Sequence, residues 1–69
     1  MITYNPLWKT LIDKHMNRGE LAKAVGLARA TVTKMGKGQP VSMTVIERIC
    51  LELDVRIEDV VEIKAEKKE

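Results

Sequence analysis

Five side chains within one short segment carry the most directional chemistry in this sequence: Arg29, Ala30, Thr33, Lys34 and Lys37. On a helix the spacing 29, 30, 33, 34, 37 traces one continuous face, because residues three and four apart are neighbours. An arginine fork can bind guanine bidentately, lysines can neutralise phosphates, and Ala30 or a Thr33 methyl can lie against a thymine methyl. No carboxylate interrupts the face to repel a polyanion. Arg18 and Lys23 extend the basic character upstream, and Glu20 is the single acid between residues 17 and 37. Taken singly, each cation is what any solvated surface carries; only their convergence points to function.

The residues that could make or break bonds are sparse. His15 and Cys50 are the only soft metal ligands, and zinc wants about four. As a nucleophilic pair they lack an orienting residue and an oxyanion site. The "GKG" at residues 36–38 lacks the length and the Ser/Thr of a phosphate-cradling loop. The sequence therefore reads as no enzyme, with no cofactor, no metal and no evident small-molecule ligand.

Charge is distributed unevenly. Residues 1–45 hold seven Lys/Arg against Asp13 and Glu20, a balance of +5, whereas residues 46–69 hold five against eight Asp/Glu, a balance of −3. A basic half that meets a polyanion and an acidic half kept away from it fits this asymmetry. With 69 residues the chain is one domain at most. A domain of that size buries only about 60% of its unfolded surface, so a disulfide, a metal or a partner subunit often supplements it. Cys50 is the one cysteine, which rules out an internal disulfide and suits a reducing interior. No apolar run approaches a membrane span, and Met1–Trp8 lacks the basic start and apolar run of a secretory signal. The expected location is the cytoplasm.

The elements that must position the basic face follow from apolar spacing. Asn5 and Pro6 suit the start of a helix over about residues 6–15, with Leu7, Trp8, Leu11, Ile12 and His15 or Met16 on its inner stripe. His15, near the end, would favour the helix dipole. Asn17 and Glu20 have the spacing of a capping box for a second helix, whose inner face is Leu21, Ala22 and Val25. Gly26 suits a left-handed stop, and Leu27 would pack at the corner. A third helix over about residues 28–36 turns Val32 and Met35 inward. Ser42 caps a fourth, reaching about Leu53, with Val45, Ile46, Ile49, Cys50 and Leu53 inside. Ile57–Val60 can form a last short helix. Val61–Ile63 alternates like a brief strand whose edge could pair with Ile2–Tyr4. Trp8, Met16, Met35 and Met43 read as core, and Cys50 as a buried, inert apolar residue. Residues 1–63 form the expected domain, and the charged segment 64–69 an expected frayed tail.

Helix, tight glycine corner, helix is the pattern that lays its second helix in a DNA major groove. The run "MNRGELAKAVGLARATVTKMGKG" resembles the helix-turn-helix of the Cro/C1-type (lambda-repressor-like, XRE) family, through "ELA", the Gly-Leu corner, "ATVTKM" and the closing Gly38. "VSMTVIERICLELDVRIEDVVE" is similar to that family's fourth and fifth helices, so the resemblance spans roughly residues 5–63. It implies an all-α bundle of about five short helices that binds double-stranded DNA, usually as a homodimer, to regulate transcription in bacteria or phage. Two positions depart from the pattern. Arg18 stands where the family often has a phosphate-binding glutamine, and Ala28 where it commonly has a Ser or Thr cap, a loss of about 1 kcal/mol in a typical helix.

The expected contacts are Arg29, Ala30, Thr33 and Lys34 to bases, and Arg18, Lys23 and Lys37 to phosphates. A homodimer would read two half-sites, and Val55, Ile57, Val60, Val61 and Ile63 could either pair two copies or close the monomer's own core. The competing class is a small protein-interaction module, antitoxin-like or a phage accessory protein, with weak or secondary DNA binding. RNA fits less well, because the contact face carries no aromatic stacking residue.

Overall fold

The computed structural model describes residues 1–65. Strand β1 (Ile2–Thr3) leads into helices α1 (Asn5–Asp13), α2 (Arg18–Val25), α3 (Arg29–Gly36) and α4 (Met43–Leu53). A 3-10 turn (Ile57–Asp59) and strand β2 (Glu62–Ile63) follow. The two strands pair antiparallel, Ile2 opposite Ile63 and Thr3 opposite Glu62. Beyond them, Met1 and Lys64 exchange two 2.8 Å hydrogen bonds, so Lys64 still belongs to the ribbon. Most of the expected tail at 64–69 lies outside the described residues.

The centre of the core is Leu7, Leu21, Met35, Ile49 and Val60, all fully buried. Each of the four helices supplies one of these side chains, and the residue after the 3-10 turn supplies the fifth. Burying one such side chain is worth about 1.5–3 kcal/mol, so every helical element is anchored to the same point. Tyr4 joins them at 2% exposed, and its hydroxyl donates to the Gln39 carbonyl at 2.9 Å. That bond closes the loop after α3 onto the β1–α1 junction.

The burial of Tyr4 corrects the start of α1. Tyr4, not Asn5, is the N-cap, and Asn5 is already helical, its N–H donating to Thr3 Oγ1 at 3.2 Å. At the other end the helix stops at Asp13, short of His15. His15 takes a left-handed φ of 58°, and the N–H groups of His15 and Met16 return to the carbonyls of Ile12 and Leu11. This is a Schellman closure with histidine where glycine is usual, so His15 makes the corner instead of facing the dipole from the last turn.

Two expected core residues point outward. Ile12 is 71% exposed, because α1 buries only the narrow stripe Leu7 and Leu11 with Trp8 half-buried beside it. Met43 is 65% exposed, because it opens α4 ahead of the turn where Ile46 first goes inside. The expected fifth helix is a single 3-10 turn. Its Asp59 carboxylate folds back to accept from the Arg56 N–H at 3.2 Å, and Thr10 Oγ1 ties the Asp59 carbonyl to α1 at 2.9 Å. Val60, one of five candidates for pairing two copies, is spent in the monomer's own core. Ile57 and Ile63 remain exposed, while Val55 and Val61 are half-buried.

Candidate nucleic-acid interface

The two helices of the motif are set by three local devices. At the start of α2 the Asn17 side chain accepts from the Glu20 N–H at 2.7 Å, and Glu20 Oε1 accepts from the Asn17 N–H at 2.9 Å. The capping box satisfies two orphan donors. It also turns the one acid of this segment back onto its own helix. At the end of α2, Gly26 adopts φ 80°, a conformation that glycine enters without a Cβ penalty. Leu27 then packs against the core and α3 begins two residues later.

The third device comes from α4. Arg48 Nη2 donates to the Val25 carbonyl at 2.6 Å, supplying a charged donor to the C-terminal end of α2. A Cβ on Gly26 would sit 3.0 Å from that nitrogen, and the arginine tip would have to shift by a few tenths of an ångström. The φ of 80° favours glycine in any case. Arg48 and its role were not legible in the sequence, because the partner is a backbone atom 23 residues away.

The third helix lacks such a cap. Ala28 has the extended backbone of an N-cap but no side-chain acceptor, as its residue type requires. Its carbonyl accepts from Thr31 and Val32, but the N–H groups of Arg29 and Ala30 at the helix start have no such partner among the described residues. On α3, Met35 is buried and Thr31 and Val32 are half-buried. Arg29, Ala30, Thr33 and Lys34 are exposed, and Lys37, the C-cap, is exposed beside them. The face traced by spacing is thus the solvent face of α3.

Arg18 and Lys23 are exposed on α2, at its first residue and in its last turn. Among the described residues the one ion pair is Arg56–Glu58 at 3.7 Å, so none of Arg18, Lys23, Arg29, Lys34 and Lys37 is neutralised by a carboxylate. Between α2 and α3 runs a shallow groove with an apolar floor of Ala22, Leu27 and Val32 and with Arg18 and Arg29 at its rim. No cluster of His, Cys, Asp and Glu among the described residues could hold a metal ion. Burial, and to a smaller extent the Asp59 and Glu58 carboxylates, push the Cys50 thiol above its ordinary range. A thiol so placed is a poor nucleophile.

Comparison with known proteins agrees with this geometry. The family model for the Cro/C1-type HTH DNA-binding domain matches residues 6–66. Among solved structures, the crystal structure of the transcriptional regulator VanUg is similar, with 46% sequence identity and a TM-score of 0.86. The alignment covers 88% of this chain and 81% of that one. No curated protein matches the chain. With its basic face on the second helix of a glycine-cornered pair, and the family match running from the first helix past β2, the chain belongs to the Cro/C1-type helix-turn-helix DNA-binding family.

Proposed function

We propose that the protein is a repressor-like, sequence-specific regulator that reads double-stranded DNA as a homodimer, with α3 in the major groove. Arg29, Ala30, Thr33 and Lys34 meet base edges, and Arg18, Lys23 and Lys37 meet phosphates on either side. One observation carries the reading: five exposed cations on the two helices of the motif, none held by a carboxylate among the described residues. The unpartnered N–H groups at the start of α3 suit a phosphate oxygen, which would supply the cap that Ala28 cannot. No catalytic step and no cofactor enter this reading. No helix among the described residues is long and apolar enough to cross a membrane, and the reading places the protein in the cytoplasm.

Homodimerisation follows from the size of the reader. One helix touches only a few base pairs, and a two-fold pair would read half-sites about 34 Å apart. The acidic half carries Leu51, 75% exposed, Ile57, 45% exposed, and Ile63, 71% exposed, outside α2 and α3. These are also the residues a protein partner would use if the chain were an interaction module instead.

Selection of bound duplexes from random DNA, followed by a salt titration, tests the whole reading. A palindromic site with two protein chains bound is expected. Log K should fall against log salt by about 0.9 per phosphate neutralised. Failure to bind any duplex above background at low salt would refute DNA reading and favour the interaction module. One chain per duplex at saturation, with no preference for palindromes, would refute the dimer alone.

A further inference from the structure

Three helices meet around one guanidinium. Arg18, the first residue of α2, places its Cζ 3.8 Å from the centroid of the Trp8 ring on α1. Gly36, the last residue of α3, stands on another side, and a Cβ there would sit 3.0 Å from Arg18 Nη1. The φ of Gly36 is not positive, so glycine is not required there by the backbone. A side chain there would press on the arginine tip and shift it by a few tenths of an ångström.

The stack engages the flat face of the fork. Its N–H donors lie in the plane of the group and point outward from the ring edge. None of them makes a hydrogen bond or an ion pair among the described residues. A cation held by its face, with its donor edge free, is preorganised for an oxyanion. Part of the rotamer freedom it would lose on binding is already restricted by the ring. The contact joins the start of α2 to α1, with the end of α3 close beside it.

We propose that Trp8 and Gly36 form a seat that aims the Arg18 guanidinium at one phosphate of the bound duplex, which makes both of them positioning residues for DNA binding. The inference rests on reading Arg18 as a phosphate contact. It goes further in assigning a role to a tryptophan and a glycine that need not touch the DNA.

The test measures binding of the full chain to a mixed-sequence duplex at low salt, together with thermal melting. Arg18→Met, which removes both the charge and the donors, should weaken binding and lower the log–log salt slope by about 0.9. Trp8→Leu, which keeps an apolar side chain and removes the π face, should weaken binding by about threefold to tenfold. Gly36→Ala should weaken it by a similar factor while Tm holds or rises, since alanine is the better helix former. That split is the informative one, because a purely structural glycine would move stability and binding together. In the Arg18→Met background, neither Trp8→Leu nor Gly36→Ala should change affinity further. Losses that persist in that background, or a Gly36→Ala protein that binds like the parent, would overturn the seat. If the parent binds and Arg18→Met changes neither affinity nor slope, the seat falls and DNA reading stands. If the parent binds no duplex, both fall together.

Discussion

Arg48 on α4 donates to the carbonyl of Val25, the last residue of α2, at 2.6 Å. The bond crosses from the acidic half of the chain into the basic one and caps the helix that supports the reading helix. Its nitrogen lies where a Cβ of Gly26 would crowd it, so arginine and glycine are a matched pair at the corner. Arg18 and Gly36 repeat the device on the other flank. In both places a guanidinium nitrogen lies beside a glycine, but only Arg48 bonds to a helix end.

The first prediction follows from that cap. Arg48→Ala removes a charged donor from a carbonyl that must then turn to water. A charged hydrogen bond is worth about 1.5–3 kcal/mol, discounted here to about 1 kcal/mol because the side chain is exposed. Thermal melting should show Tm lowered by about 4–8 °C. Arg48→Lys should recover part of the loss and Arg48→Met none. Equal melting of all three variants would show that the bond contributes nothing.

The empty cap of α3 gives the second. Ala28→Ser places an acceptor over donors that the free protein leaves unpartnered, which should add about 1 kcal/mol of stability. Hydrogen exchange should slow at Ala30, whose N–H is unpartnered in the free protein. On DNA the gain should shrink, because a serine oxygen and a phosphate oxygen compete for the same N–H groups. Equal gains in Tm with and without saturating duplex would mean that no phosphate reaches the start of α3.

The third concerns alkaline pH. Burial raises the Tyr4 hydroxyl above its ordinary value, an effect partly offset by a backbone hydrogen bond from Val41. Cys50 is raised by burial first and then by Asp59 and Glu58. Both groups are neutral when protonated, so the fold disfavours their ionised forms and the unfolded chain ionises first. Their contribution to stability is therefore complete below the ordinary values of 9.0 and 10.0 and is lost as pH rises through the raised ones. Melting between pH 7 and 11, values spanning the ordinary thiol and phenol range of about 8.5–10, should show a fall confined to the upper end. Tyr4→Phe should melt lower than the parent at neutral pH and narrow the gap at the alkaline end. A parallel offset at every pH would mean that Tyr4 titrates as it does in the unfolded chain.

What was legible in the sequence was whatever a local pattern encodes. Asn17 with Glu20, Gly26, and Ser42 ahead of Val45 mark helix ends through contacts within a few residues, and the structure has each of them. The inward set on α2, α3 and α4 follows from period alone, and so does the outward face of α3. What stayed hidden depends on distant chain segments. Tyr4 is buried because the loop at Gln39 reaches back to it, 35 residues away. Ile12 is exposed because nothing among the described residues comes to cover that side of α1, which apolar spacing cannot know. Trp8 reads as core from its stripe, and its contact with Arg18 becomes visible only when α2 starts beside it. Val60 could not be divided between monomer core and dimer surface until the strands β1 and β2 had paired.

The last prediction separates reading from holding on α3. Arg29 stands in the first turn of the helix and Lys37 at its C-cap, with both side chains exposed and without a carboxylate partner among the described residues. A helix entering the major groove presents its N-terminal residues to base edges, so Arg29 is placed to fork onto a guanine, whereas Lys37, one turn beyond Thr33, is left at the groove's rim. Arg29→Ala should cost about 1–3 kcal/mol on the selected site and relax the preference at one base position, with a smaller effect on random duplex. Lys37→Ala should weaken selected and random duplexes by one common factor and reduce the salt slope by about 0.9. Lysine at position 29 would retain the charge but not the two-pronged geometry, so Arg29→Lys should keep the salt slope and still lose the base preference. Measuring the three variants on both duplexes gives a ratio of affinities for each. If that ratio is the same for Arg29→Ala and Lys37→Ala, α3 binds by charge alone, and base reading must be sought in Thr33 and Lys34.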